Sequence, residues 1–81
     1  MLFHKLIKTE EIEIEGQAYG VQYFETTTMR GTRRYSSELV LGPSDRIIFD
    51  GNSLSDLESR VARLVPATIY SRMLVARAVA A

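Results

Sequence analysis

The sequence predicts an α+β fold in which an antiparallel four-stranded β-meander carries a C-terminal helix on one face. Two patterns support this prediction. Apolar and polar residues alternate in short segments between residues 11 and 50, with turn residues between the segments. An apolar stripe with helical spacing then begins at residue 54. The 81 residues are expected to form a single domain, residues 1–81, in which consecutive strands pair with their neighbours.

The first predicted hairpin lies within residues 11–28. Isoleucines alternate with glutamates in EIEIE, residues 11–15, which is typical of a half-buried strand. Gly16-Gln17 is expected to form the turn, and Phe24 falls on the outward face, which indicates a bulge or a second covered surface. Residues 1–9 fit one or two helical turns and also fit a short strand. The residues expected to point inward are Ile12, Ile14, Tyr19, Val21 and Tyr23.

Two further strands are expected after an arginine-rich loop. RRYSSELVL, residues 33–41, alternates again, with Tyr35, Leu39 and Leu41 inward. The turn residues Gly42-Pro43-Ser44-Asp45 follow, because proline restricts φ and serine and aspartate bond to the local backbone. RIIFD, residues 46–50, is the fourth strand.

The helix is expected to start after Ser53, which can cap the first turn, with Asp56 placed to complete the capping box. Ser55 and Glu58 form a competing box two residues later. Pro66 predicts that the helix is kinked or split at this point, since proline removes one helical hydrogen bond. The residues expected to pack on the sheet are Leu54, Leu57, Val61, Leu64 and Val65, and beyond Pro66 Ile69, Tyr70, Met73 and Leu74.

Composition argues against several functional classes. The chain has no cysteine, which excludes disulfides and thiolate metal sites, and it has only one histidine, His4, at no catalytic spacing. The glutamates of residues 11–15 are interpreted as a solvated strand face rather than a metal site, and the glycines form no nucleotide-binding motif. We therefore expect a non-enzymatic protein with no metal and no cofactor. The N-terminus has no signal-peptide pattern and no apolar run is long enough to span a membrane, so a cytoplasmic location is expected.

Arginines suggest one candidate binding surface. Although the net charge is zero, residues 1–29 are acidic and residues 30–81 are basic. The candidate contacts to an anion or to nucleic acid are Arg30, Arg33, Arg34 and Tyr35. The alternative is that these arginines neutralise Glu11, Glu13 and Glu15 on a neighbouring part of the sheet. The zero net charge and the pI of about 6.6 favour this alternative.

The C-terminal segment suggests the other candidate surface. It has apolar residues around most of its circumference, more than one small sheet can cover. The candidate interface residues are Arg72, Val75, Arg77 and Val79. The leading functional prediction is therefore a module that forms a homodimer or binds a protein partner through this helix. A weak nucleic-acid-binding module is the alternative function, and a frayed alanine-rich tail is the alternative reading of the segment.

Overall fold

A computed structural model describes the backbone of residues 3–80 and the side chains of residues 4–76. Four antiparallel strands form one sheet in the order β1-β2-β3-β4, and one helix packs on it, which confirms the predicted fold. The elements are β1 (Phe3–Ile14), β2 (Gln17–Thr27), β3 (Arg33–Gly42), β4 (Asp45–Gly51) and α1 (Leu54–Ala80).

Residues 3–9, for which the sequence left helix and strand open, belong to β1. The pairing of β1 with β2 shifts between Leu6 and Lys8, so Leu6 lies opposite Phe24 while Lys8 lies opposite Tyr23. This bulge moves Leu6 to the sheet face opposite the helix, where it neighbours Phe24. Phe24 is half-buried there, and its ring stacks on that of His4 with 4.4 Å between the ring centroids. The bulge expected near Phe24 is therefore in β1, between Leu6 and Lys8, and not in β2.

The first hairpin turns one residue earlier than the sequence predicted. Ile14 pairs with Gln17, so Glu15 and Gly16 form the two-residue loop, with φ of 53° and 77°. Two consecutive positive φ values are the requirement of a type I′ turn, whose twist matches that of the paired strands. Gly16 meets this requirement without strain, whereas Glu15 occupies a conformation that a side chain disfavours.

The core lies between α1 and one face of the sheet. The helix runs closest to β4 and β3, and the opposite sheet face has no second layer in the described part of the chain. Tyr35, Leu41, Ile12 and Ile14 pack at the edges of this core. The buried apolar side chains are Val21, Tyr23, Leu39, Ile47, Leu57, Val61, Val65 and Ile69.

α1 begins as predicted, since the backbone N–H of Asp56 donates to Ser53 Oγ at 3.2 Å. The helix continues through Pro66, so it is one helix and the split form is excluded. Two residues beyond the proline, the Thr68 hydroxyl donates to the Leu64 carbonyl at 2.7 Å.

The inward stripe of α1 differs from the predicted one. Its residues recur at intervals of four, and each interval advances about 40° around a helix of 3.6 residues per turn. The stripe therefore winds around α1, and Tyr70 and Leu74, each one residue past an inward position, point away from the sheet. Their predicted inward packing was wrong, and Leu64 is only half-buried. The stripe consists of Leu57, Val61, Val65, Ile69 and Met73.

Candidate functional site

The first candidate surface is on the C-terminal half of α1, on the sides that the winding stripe leaves uncovered. Tyr70, Leu74 and Val75 keep 49%, 47% and 61% of their surface exposed. Tyr70 and Leu74 are one helical turn apart and therefore adjacent on the helix surface, and Val75 points about 100° further around the helix. We call these three residues the outer strip. Large apolar side chains that cluster in this way are typical of interaction surfaces.

The predicted interface residues are only partly accounted for by this strip. Val75 belongs to it, but Arg72 turns toward the sheet, where its Nη2 lies 2.8 Å from Asp45 Oδ1. This partly exposed ion pair contributes only about 0–1 kcal/mol to stability, but it ties the C-terminal half of α1 to the start of β4. The side chains of Arg77 and Val79 lie outside the described residues.

The structure does not bring the four predicted anion contacts together. Arg30 is exposed in the loop between β2 and β3, and Arg33 Nε lies 3.5 Å from Glu25 Oε1. Tyr35 is half-buried against the core. Arg34 does not lie with these residues and lines a separate cleft at the end of the sheet. The predicted partners Glu11, Glu13 and Glu15 form no ion pair within the described residues, so the expectation that they neutralise the arginines was wrong.

Arg34 instead contributes to a cleft at the junction of β4 and α1, which is the second candidate surface. This cleft has a volume of about 460 Å³, and Arg60 and Arg63 of the helix line it together with Arg34. We call it the arginine cleft. Its lining residues are Arg34, Asp50, Gly51, Asn52, Asp56, Ser59, Arg60 and Arg63.

The local sequence explains how the cleft forms. Gly51 packs against the start of the helix, where a Cβ would be in van der Waals contact with the Cβ of Leu57 at 3.4 Å. Arg60 Nη1 donates to the Asp50 carbonyl oxygen at 2.7 Å, which holds the guanidinium beside the end of the strand. The same guanidinium lies 6.0 Å from the centre of the Phe49 ring, at the limit of a cation–π contact.

The cleft arginines lack the carboxylate partner that three other described arginines have, and they share this lack with the exposed Arg30 of the loop. Arg33, Arg46 and Arg72 each lie within 4 Å of a carboxylate. In the described part of the chain, Arg34, Arg60 and Arg63 have no such partner, although Asp50 and Asp56 line the same cleft. Arg60 and Arg63 were not among the predicted site residues. Their spacing of three residues is the one sequence signal that they share a helix face.

A polar cluster outside both candidate surfaces joins β1 to α1. Lys8 Nζ lies 3.3 Å from Glu58 Oε2 and 3.4 Å from Glu10 Oε2, and it lies 4.9 Å from the centre of the Tyr23 ring. Burial alone would lower the pKa of Lys8, but hydrogen bonds to Glu58 and Glu10 and the charges of these two groups outweigh burial and raise it. Lys8 therefore links the edge strand β1 to α1 through its ion pair with Glu58.

The remaining candidates for chemistry do not converge. His4 is exposed, with Nδ1 3.2 Å from Thr26 Oγ1. Among residues whose side chains are described, no three acidic or histidine groups are placed to hold a metal ion. Within the described residues, no helix contains an apolar segment of the length needed to cross a membrane.

Comparison of the chain with protein-family models, curated proteins and solved structures finds no match. The outer strip and the arginine cleft are therefore the basis for assigning a function.

Proposed function

We propose that this chain is a non-enzymatic module that forms a homodimer through the C-terminal half of α1. The observation that carries the proposal is the exposure of Tyr70, Leu74 and Val75 on a helix whose other side is already packed on the sheet. Two such strips placed side by side around a twofold axis would bury each other, as is usual in homodimers.

The shape of the single chain supports this proposal. A compact domain of 81 residues has a radius of gyration of about 12 Å, whereas this chain has one of 14.5 Å and extends over 51 × 22 × 16 Å. Its core is one thin layer of side chains between one helix and one sheet face. A chain with so small a core gains stability when a second copy covers further apolar surface.

The charges around the strip are compatible with association. Ser71, beside the strip, is uncharged, and Arg72 is held by Asp45. Residues 66–81 contain no acidic residue, so no two carboxylates would be buried together between the copies.

Sedimentation of the intact chain tests the proposal, with a Leu74→Glu, Val75→Glu double variant as its perturbation. We expect a dimer for the intact chain, and a monomer for the variant because four glutamates would face each other across the interface. Glutamate is a good helix former, so the helical circular dichroism of the variant should be unchanged.

A Val40→Glu, Ile48→Glu double variant is the matched control, because these side chains are 54% and 58% exposed on the sheet face opposite the helix. The control is expected to remain dimeric. If the intact chain is still monomeric at about 0.5 mM, any self-association is weaker than that of specific dimers, which contradicts the homodimer. The outer strip would then be assigned to a different protein partner. Dissociation of the control but not of the helix variant would move the interface to the open sheet face.

A further inference from the structure

Beyond dimerisation, we propose that the arginine cleft binds a nucleotide, with the phosphate group held by Arg34, Arg60 and Arg63. The ligand is either a free nucleotide or one nucleotide of a single-stranded nucleic acid, since both present the same phosphate, sugar and base. The site differs from the predicted loop surface, because Arg33 and Tyr35 are not part of it and two helix residues are.

The arrangement of the arginines is the first step. They come from two elements that are distant in sequence, β3 and α1, and they line one cavity. A guanidinium offers five N–H donors in a planar fork that matches phosphate oxygens, and two or three forks around one anion give several charge-assisted hydrogen bonds. Arg60 is already oriented through the Asp50 carbonyl, so part of the entropy cost of ordering it is met before a ligand binds.

The charge balance is the second step. Elsewhere in the described chain, Arg33, Arg46 and Arg72 each lie near a carboxylate, and only the exposed Arg30 of the loop does not. In the cleft, three arginines face two aspartates without an ion pair within 4 Å, which leaves an excess of one positive charge. A singly or doubly charged phosphate would offset this excess and reduce the repulsion between the guanidinium groups.

The aspartates narrow the ligand class. Asp50 and Asp56 oppose a bare anion, and they accept hydrogen bonds but donate none when ionised. A ligand that fits must therefore add donors to its anionic group. Ribose hydroxyls and the exocyclic amines of a base are such donors, and Asn52 can pair with either a donor or an acceptor. The volume of about 460 Å³ is within the range of small-molecule sites, about 300–1,000 Å³.

Nuclear magnetic resonance titration of the isotope-labelled full chain at low salt tests the proposal. The probes are adenosine monophosphate, adenosine, inorganic phosphate and a five-nucleotide single strand. We expect saturable shifts of the amides of Gly51, Asn52 and Arg60 with the nucleotide, at millimolar or tighter affinity. Adenosine and phosphate should each bind at least about tenfold more weakly, since each lacks one half of the contacts.

An Arg34→Gln, Arg63→Gln double variant should bind the nucleotide about tenfold or more weakly, because it loses two charged forks. Arg33→Gln is the matched control, since Arg33 already pairs with Glu25 outside the cleft, and it should change affinity less than about twofold. Thermal unfolding of both variants verifies that they are folded.

The outcomes separate the sources of the ligand. Tighter binding of the single strand than of the nucleotide assigns the cleft to nucleic acid, and equal binding assigns it to free nucleotides. Phosphate that binds as well as the nucleotide, no binding of any probe at about 5 mM, or an equal loss in Arg33→Gln would each overturn the proposal.

Discussion

Tyr23 gives the sharpest test of the described packing. Its side chain is fully buried between the helix and the sheet, and its hydroxyl has no hydrogen-bond partner within the described residues. Burial, and then the negative charges of Glu10 and Glu58, raise the pKa of Tyr23 to about 12. Replacing Tyr23 with phenylalanine removes this hydroxyl and keeps the ring that fills the core.

The expected effect at neutral pH is a gain in stability. A buried hydroxyl without a partner costs about 1–3 kcal/mol relative to water. Removing it leaves a space of about 15 Å³, which at about 24 cal/mol per Å³ costs about 0.4 kcal/mol. The ring and its contact with Lys8 Nζ remain in the variant. Tyr23→Phe should therefore raise the free energy of unfolding by about 1 kcal/mol at pH 7.

The difference between variant and wild type should increase at alkaline pH. An unfolded tyrosine ionises with a pKa of about 10, whereas Tyr23 in the folded protein ionises near 12. The free energy of unfolding of the wild-type chain is therefore unaffected by this tyrosine's ionisation below pH 10. It falls as the pH rises from 10 through 12, because the unfolded chain ionises first. The loss is about 1.4 kcal/mol at pH 11, and the phenylalanine variant does not have it.

Urea unfolding at pH 7, 9, 10 and 11, at one fixed protein concentration, measures both effects. Tyr19→Phe is the control, because Tyr19 is only partly buried at the edge of the core and lies outside the outer strip. A Tyr23→Phe variant that is less stable than wild type by more than about 1 kcal/mol at pH 7 would show that the hydroxyl has a partner. A difference that stays constant up to pH 11 would refute the raised pKa.

Further predictions concern the core and the first turn. Leu57→Ala should lower the free energy of unfolding by about 3 kcal/mol, since Leu57 is fully buried, and half-buried Leu64→Ala by about 1 kcal/mol. Equal losses in urea titrations would contradict the inward stripe described for α1. Glu15→Asn should raise the melting temperature, with a gain of about 0.5–1 kcal/mol, because asparagine tolerates positive φ at the first position of a type I′ turn. A loss on this substitution would place the turn elsewhere, and Gly16→Val should be destabilising in the same assay.

Local patterns in the sequence determined the elements and their order. The alternation in β2 and β3, the turn residues around Pro43 and the cap at Ser53 act over two to four residues, so the sequence alone can show them. The meander followed, because short loops leave consecutive strands few other partners. Where two conformations were locally similar, as in residues 3–9, pairing with β2 decided for a strand.

The tertiary structure decided what depends on how the elements pack. The side of α1 that faces inward is set by how the helix crosses a twisted sheet. This crossing leaves Tyr70 and Leu74 exposed, although the helical spacing in the sequence predicted that they would pack inward. The partner of Arg33 is Glu25 because the register of β2 and β3 places them near each other. Arg34 meets Arg60 and Arg63 only because β3 and the start of α1 reach the same end of the sheet. The cleft is formed by residues that are far apart in the chain. A local sequence pattern therefore cannot predict that they come together.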